Sequence, residues 1–494
     1  MSKLFKASLL ITIFFAINKV VALVRQTIIA RQFGLSSEID AFNAANNVPD
    51  LLFSLISGGA LAMAFIPVLT EYIDKKGRDE TWRLFSQIAN LVFLATASLS
   101  LLVALSAHSI VRSPLGVAPG FTPDQQMLTA NLMKLNLLAT LIFSLSGLVM
   151  AVLHSHKHFL LPAIAPILYN VGQIVGAVVF APFFGVYGLV YGMILGSLLH
   201  LGIQIPAIVR FRFRWTPHIH SNDPGVRRVL LLMGPRILTV LCINIIFLAR
   251  DNLASHLHEG AITALTYGYF ILQVPETLIG TAIATALLPT LSQYADRKDT
   301  HAFIGTLNKT IRVILALTLV VTVLAVVSVE PLLQSIFGLS TEQTRLLGWT
   351  TRAYMVGLAA QSLLEVATRA FYAKQDTKTP LIITLIRTAL FILISVLLVR
   401  PLGAVGLALA DTITVTLEVG MLLFLLRKTM PGLLDTGDTV KRVFFASIVS
   451  IGLFYVVRTI PSFSDLHSTI FGLSIAGLSA WFFVKKELKM LMKL

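Results

Sequence analysis

The sequence predicts an all-α polytopic membrane protein: about 14 transmembrane helices, arranged as two pseudo-symmetric six-helix lobes plus a C-terminal helix pair. Three observations carry that prediction: the composition, the placement of the basic residues and an internal repeat. Of 494 residues, 56% are hydrophobic and only 13% are charged, with a mean hydropathy of +0.83. A backbone in hydrocarbon has to satisfy its own N–H and C=O groups, so apolar runs of roughly 20 residues read as spanning helices. In the first half these runs lie near 6–30, 40–72, 83–110, 126–152, 159–183 and 186–209. In the second half they lie near 228–255, 261–294, 305–336, 344–373, 380–400 and 403–426, followed by 440–459 and 467–484. Two runs, 40–72 and 261–294, exceed what a bilayer needs and are expected to tilt, kink or project into the cytoplasm.

A net charge of +15 suggests nucleic acid until its distribution is considered. With the N-terminus inside and the spans alternating, the inward loops hold about two dozen basic residues, Lys75, Lys76, Arg210, Arg212, Arg214, Arg227 and Arg228 among them. The outward loops hold about five: Arg31, Arg112, Arg345, Arg400 and Arg458. That bias orients both termini to the cytoplasm and explains the basicity without nucleic acid. The apolar run after Lys3 and Lys6 is too long for a signal peptide and lacks a small-residue cleavage site, so an uncleaved first span is expected. Cys242 is the only cysteine, which excludes an intramolecular disulfide.

The chain repeats itself. Pro162, Gly185, Gly188 and Leu189 recur at Pro380, Gly403, Gly406 and Leu407, each 218 residues on. Phe65-Ile66-Pro67-Val68-Leu69 echoes Leu287-Leu288-Pro289-Thr290-Leu291 at an offset of 222. Six spans per repeat give both halves the same orientation, the parallel-repeat plan in which substrate sits between the halves. The expected organisation is an N-lobe over 1–220, a C-lobe over 221–430 and a final pair of spans over 431–494, with 212–227 as linker. Gly188, Gly192 and Gly196 place small residues on one face of the sixth span for close helix packing.

A charge at bilayer depth is costly, so the few within spans direct the search for a site. The first span carries Lys19, beside Asn18, and Arg25; two fixed cations there suit an anionic headgroup, the arginine through bidentate contact with phosphate. The second span holds Asp40, Asn43, Asn46, Asn47 and Asp50 around Pro49, with Asn43, Asn47 and Asp50 on one stripe. Asp40 matches Arg25 in depth and is its expected gating partner. In the seventh and eighth spans Arg236, Asn244, Arg250, Asp251 and Glu276 stand out. Arg250 and Asp251, adjacent and so turned apart, are read as a second gating pair near the solvated outer end, whereas Glu276 follows Pro275 as Asp50 follows Pro49. The substrate-contacting set is therefore Lys19, Arg25, Asn47, Asp50, Arg236 and Glu276. Glu365 and Arg369 are expected to pair at i, i+4, and Arg387, Asp411 and Glu418 to form one ion-pair network. His154, His156, Lys157 and His158 read as a solvated turn. With no phosphate loop, nucleophile elbow or metal-ligand pair, no enzyme chemistry, metal or cofactor is expected.

The run Arg369-Ala370-Phe371-Tyr372-Ala373-Lys374-Gln375-Asp376-Thr377-Lys378-Thr379-Pro380 resembles a signature of the MurJ (MviN) family of lipid II flippases. Leu23-Val24-Arg25, Phe33-Gly34, Asp40-Ala41-Phe42, Pro49 and Phe65 to Leu69 agree with it, as does Leu287 to Ser292. The resemblance covers essentially the whole chain. It implies a MOP-superfamily exporter whose lobes surround a cationic cavity and which moves an undecaprenyl-pyrophosphate-linked disaccharide-pentapeptide to the outer leaflet of the bacterial inner membrane. Arg25 and Asp40 match the family's arginine and aspartate, and Asn18-Lys19 stands where Ser-Arg is common. The chain departs from the pattern at Gln26, where an acid is usual, and at Phe53, Ser54 and Phe270, where arginines are usual. The expected partners are a lipid-linked glycan with an anionic pyrophosphate and the surrounding membrane lipids, handled by a monomer. The alternatives are a flippase for another polyprenyl-pyrophosphate-linked oligosaccharide, a cation or drug antiporter of the same superfamily, or a non-transporting scaffold.

Overall fold

The computed structural model describes residues 3–56, 59–217, 223–436, 438–458 and 465–491, which form two compact units, Met1–Glu259 and Gly260–Leu494. The first unit contains α1 (Lys3–Phe33), α2 (Ser37–Ile56), α3 (Gly59–Lys75), α4 (Arg78–Arg112), α5 (Pro123–Ser155), α6 (Leu160–Val175), α7 (Ala181–Phe184), α8 (Tyr187–Gly202), α9 (Ile205–Arg210) and α10 (Pro224–Ala254). The second contains α11 (Ala261–Glu276), α12 (Ala282–Asp296), α13 (Thr300–Phe337), α14 (Thr341–Val356), α15 (Leu358–Ala373), α16 (Lys378–Thr429), α17 (Thr439–Arg458) and α18 (Asp465–Leu491). Short π-helical segments, Gly176–Phe180 and Thr277–Thr281, continue α6 and α11. All regular structure among the described residues is helical. This is the outcome expected where each backbone group has to find its partner within its own segment.

Eleven helices among the described residues are long and apolar enough to cross a bilayer, and one of these, α16, is two helices meeting at Gly403. The runs read as single spans over 40–72 and 344–373 are each two helices, α2 with α3 and α14 with α15. The run over 261–294 is one continuous rod from Ala261 to Asp296, interrupted only by its π-helical segment. The lobe boundary expected at 220/221 follows the repeat, whereas the compact units meet at Glu259/Gly260. The seventh span, α10, packs on α2, α3 and α4 and so lies in the first unit.

The repeat is visible in the backbone of each unit. Gly185 (φ 56°, ψ −140°) and Gly403 (φ 57°, ψ −135°) occupy the same left-handed conformation at their 218-residue offset. Only glycine enters that region without steric cost, and another residue there loses about 1–2 kcal/mol. A Cβ on Gly188 would lie 2.3 Å from the Ala181 backbone nitrogen, and one on Gly406 would lie 2.2 Å from the Leu398 carbonyl oxygen. Lys157 and Gln375, also 218 apart, share positive φ values of 57° and 59°, a correspondence their side chains do not betray.

The glycines of the sixth span sit against glycines of the fifth. A Cβ on Gly192 would meet the Gly176 Cα at 2.5 Å, and one on Gly172 would meet the Gly196 Cα at 2.3 Å. Gly192→Ala should lower stability by about 1–3 kcal/mol, because backbone rather than a movable side chain fills the space. Gly202→Ala, with open space around it, should be neutral or slightly stabilising, and thermal unfolding of the two purified variants checks the contrast.

The histidine turn is not the solvated loop expected. His156 stacks on Trp82 (ring centroids 5.8 Å apart, planes at 10°) and on Phe211 (4.4 Å, 26°), at the edge of a core built from Phe65, Trp82 and Phe85. Two aromatic faces replace its hydration. In the second unit, the family-like run 369–380 ends in a helix start. The Asp376 carboxylate accepts from the Lys378 and Thr379 amides (3.1 and 3.0 Å) and from the Thr379 hydroxyl (2.6 Å). The hydrogen bonds from Thr379 hold its carboxyl below the usual carboxylate range. The final pair, α17 and α18, pack on each other and on α13, with Glu487 taking an ion pair from Arg442 and a 2.9 Å hydrogen bond from Thr439.

Candidate functional site

Among the described residues of the first unit, polar side chains from α1, α2, α5, α6, α8 and α10 form hydrogen-bonded groups. On α1, Arg25 is half-buried, and its Nη1 donates to Asn170 Oδ1 at 2.9 Å and to Gln173 Oε1 at 3.3 Å. Its Nη2 donates to Gln26 Oε1 at 3.4 Å. Asn170 in turn donates from Nδ2 to Asn18 Oδ1 at 2.9 Å, which ties α6 to the turn of α1 that carries Lys19. Asn170 and Gln173, three residues apart, lie on the same face of α6. Amide oxygens thus orient the guanidinium.

On α2, Asp40 is buried. Asn46 Oδ1 accepts from Asn136 Nδ2 of α5 at 2.7 Å, and Asn47 Nδ2 donates to Asp251 Oδ2 of α10 at 2.7 Å. Asp251 Oδ1 accepts from Arg250 Nε at 2.8 Å, with only 7% and 2% of the two side chains exposed. This corrects the reading of Arg250 and Asp251 as turned apart and solvated. The long arginine side chain folds back along the helix to its neighbour, and Asn47 closes the pair from α2. A charged hydrogen-bonded triad of this kind sets how α10 sits on α2.

One turn beyond Asn47, Asp50 opens onto a cavity of about 260 Å³. Asn136, Thr140, Tyr169 and His200 line it, together with Phe53, Phe143 and Met193. Phe143 packs edge-on against Tyr169 (4.6 Å) and lies 5.5 Å from Phe53, which gives the cavity an aromatic wall. Behind it, Ser146 Oγ lies 2.6 Å from His200 Nδ1 and accepts from Gln204 Nε2 at 2.9 Å.

The second unit is separately organised. Glu276 is buried and accepts from the hydroxyls of Thr281 (3.0 Å) and Thr277 (3.4 Å), both in the π-helical segment that follows it. Arg387 bridges Asp411 and Glu418 at 2.9 Å each, and Arg369 pairs with Glu365, as the spacing predicts. Asn244 Nδ2, back in the first unit, donates only to the Val240 carbonyl one turn earlier. The Arg236 side chain lies outside the described residues. No cluster able to ligate a metal ion is present among the described residues.

Sequence reasoning brought forward Lys19, Arg25, Asn47 and Asp50, and the structure places them all in the first unit. It missed Asn136, Asn170, Gln173, Tyr169 and His200. Their signal was available as uncharged polar residues within apolar runs, but such residues are common and carry no charge penalty to mark them.

Comparison with known proteins agrees with this picture. The family model described as "Lipid II flippase MurJ" matches residues 29–474. A lipid II flippase MurJ of Burkholderia cenocepacia is 32% identical over 86% of this chain and 84% of its own. A probable lipid II flippase MurJ of Treponema pallidum is 27% identical over 95% of this chain and 90% of its own. Among solved structures, a lipid II flippase MurJ in an inward closed conformation has a TM-score of 0.82 at 22% identity, covering 97% of this chain and 100% of its own. An inward-facing multidrug resistance MATE transporter of the MOP superfamily has a TM-score of 0.71 at 15% identity, covering 83% of this chain and 94% of its own. The fold is therefore shared across that superfamily, and the sequence places this multi-pass membrane protein more narrowly: the chain belongs to the MurJ lipid II flippase family.

Proposed function

We propose that this chain moves lipid II from the inner to the outer leaflet of the bacterial inner membrane by alternating access, as a transporter and not as an enzyme. The observation that carries the reading is Arg25, an intramembrane cation six residues along α1 from Lys19, whose guanidinium is oriented by Asn170, Gln173 and Gln26. Holding a fork of N–H donors in place at depth is what recognition of a pyrophosphate asks for. In this reading Lys19 and Arg25 clamp the headgroup, the prenyl tail stays in lipid, and Asn47 with the Arg250–Asp251 pair forms part of the moving gate. An Arg25–Asp40 ion pair belongs to the same gate. Glu276 and Arg236 contact the substrate as well in this reading. The proposed topology has about 14 crossings with both termini in the cytoplasm, six per repeat plus a last pair serving the tail, in a monomer.

The direct test is reconstitution of the purified protein in liposomes loaded with lipid II, with headgroup exposure followed by an enzyme that cannot enter the vesicle. Protein-dependent exposure of the inner-leaflet pool is the expected result. Exposure of a different polyprenyl-pyrophosphate-linked glycan, with none of lipid II, would replace the substrate while keeping the class.

A further inference from the structure

Asp50 is the charge that an anion carrier does not need. It lies on α2 in the same unit as Lys19 and Arg25, and Tyr169 is within electrostatic reach of both the Asp50 carboxylate and the Arg25 guanidinium. No hydrogen bond reaches the carboxylate among the described residues. Three of its polar neighbours, Asn136, Thr140 and His200, are committed elsewhere. Asn136 donates to Asn46, the Thr140 hydroxyl donates to the Asn136 carbonyl (3.3 Å), and His200 is held by Ser146 and Gln204.

Among the described residues, no ion pair reaches it from the elements around it. On α10, Arg250 is bound to Asp251, and the Arg236 side chain lies outside the described residues. The charged residues of α3 and α4 lie in their end turns, Glu71 to Lys75, Arg78 to Arg83, and His108 with Arg112. On α5, Asp124 and His154 lie at the ends and Lys134 is exposed, α6 carries no charged residue, and α8 offers only His200. An ionised Asp50 in the unit that carries Lys19 and Arg25 would repel the pyrophosphate that the proposed function brings in.

A cation bound at Asp50 removes that repulsion. Hard metal ions take roughly six or more oxygen ligands, whereas the lining of this cavity carries side-chain oxygens on Asp50, Asn136, Thr140 and Tyr169 alone. A proton needs only the carboxylate. We propose that Asp50 is a protonation site linked to substrate: the carboxyl binds a proton when the anionic headgroup binds, so that each tightens the other. The inference rests on the anionic-headgroup reading above, and reciprocity between the two ligands follows from linkage.

Binding of purified lipid II to the full-length protein in nanodiscs, measured between pH 6 and pH 8, tests it. Wild-type affinity should fall by about tenfold over that range beyond any change shown by Asp50→Asn. Asp50→Asn should bind at both ends about as tightly as wild type at pH 6, keeping only the slope due to the headgroup's own phosphates. His200→Gln should retain the wild-type slope, and sodium at fixed pH should have no effect. A wild-type slope no steeper than that of Asp50→Asn overturns the proposal, as does a dependence on sodium in place of pH. Absence of lipid II binding at every pH overturns instead the substrate reading on which it rests.

Discussion

Arg387→Met destabilises the second unit by about 3–5 kcal/mol, the largest stability effect expected of any single charge in the chain. Arg387 lies on the first arm of α16, and Asp411 and Glu418 lie two turns apart on the second arm, beyond the bend at Gly403. Its two terminal nitrogens reach Asp411 Oδ1 and Glu418 Oε2 at 2.9 Å each, and Glu418 takes a further hydrogen bond from the Thr384 hydroxyl at 2.8 Å. All three charged side chains are buried. Removing the arginine leaves two carboxylates facing each other without a counter-ion. Replacing all three by apolar residues of similar size restores most of the loss, because the desolvation cost disappears with the charges. Thermal unfolding in detergent or nanodiscs separates the outcomes. A loss below about 1 kcal/mol for Arg387→Met would show that the network contributes little to holding the two arms together.

Arg25→Ala abolishes transport while leaving the fold intact. The amides that orient it, Asn170, Gln173 and Gln26, are neutral, so truncation leaves no unpaired charge on those three. What it removes is the oriented guanidinium, and hydrogen bonds to a charged group contribute about 1.5–3 kcal/mol each, so at least a hundredfold loss of transport rate is expected. Arg25→Lys keeps the charge and loses the fork. Three separate acceptors now face one ammonium on a flexible stem, and an intermediate rate about tenfold below wild type is expected. Equal rates for arginine and lysine would mean that the charge alone matters and that the amide cradle is incidental.

Much of this was legible before any coordinates. The spans follow from apolar runs because hydrocarbon permits few alternatives to helix, and the repeat marked Gly185 and Gly403 as equivalent positions, which the structure gives the same positive φ. The Arg387 network was also legible, since three opposite charges in neighbouring apolar spans have few ways to be satisfied other than by each other. The burial of the Arg250–Asp251 pair was misjudged for a definable reason. Helical adjacency fixes where two Cβ atoms point, but not where a long arginine side chain ends, and the decisive third partner, Asn47, lies 204 residues away in sequence. The amide cradle of Arg25 was hidden because Asn170 and Gln173 carry no charge to mark them at depth. His156 was misread because nothing local to the turn reveals Trp82 and Phe211, which arrive from α4 and the segment after α9.

The central claim is that an oriented intramembrane cation in the first unit carries a lipid-linked anion across the bilayer. Growth of bacteria depleted of their own lipid II flippase, with this chain supplied as wild type or as Arg25→Ala at equal membrane abundance, tests it most directly. Rescue by the wild type and lysis with Arg25→Ala is the predicted result. Equal rescue by both forms would contradict the account, because transport would then proceed without the residue on which the proposed site is built.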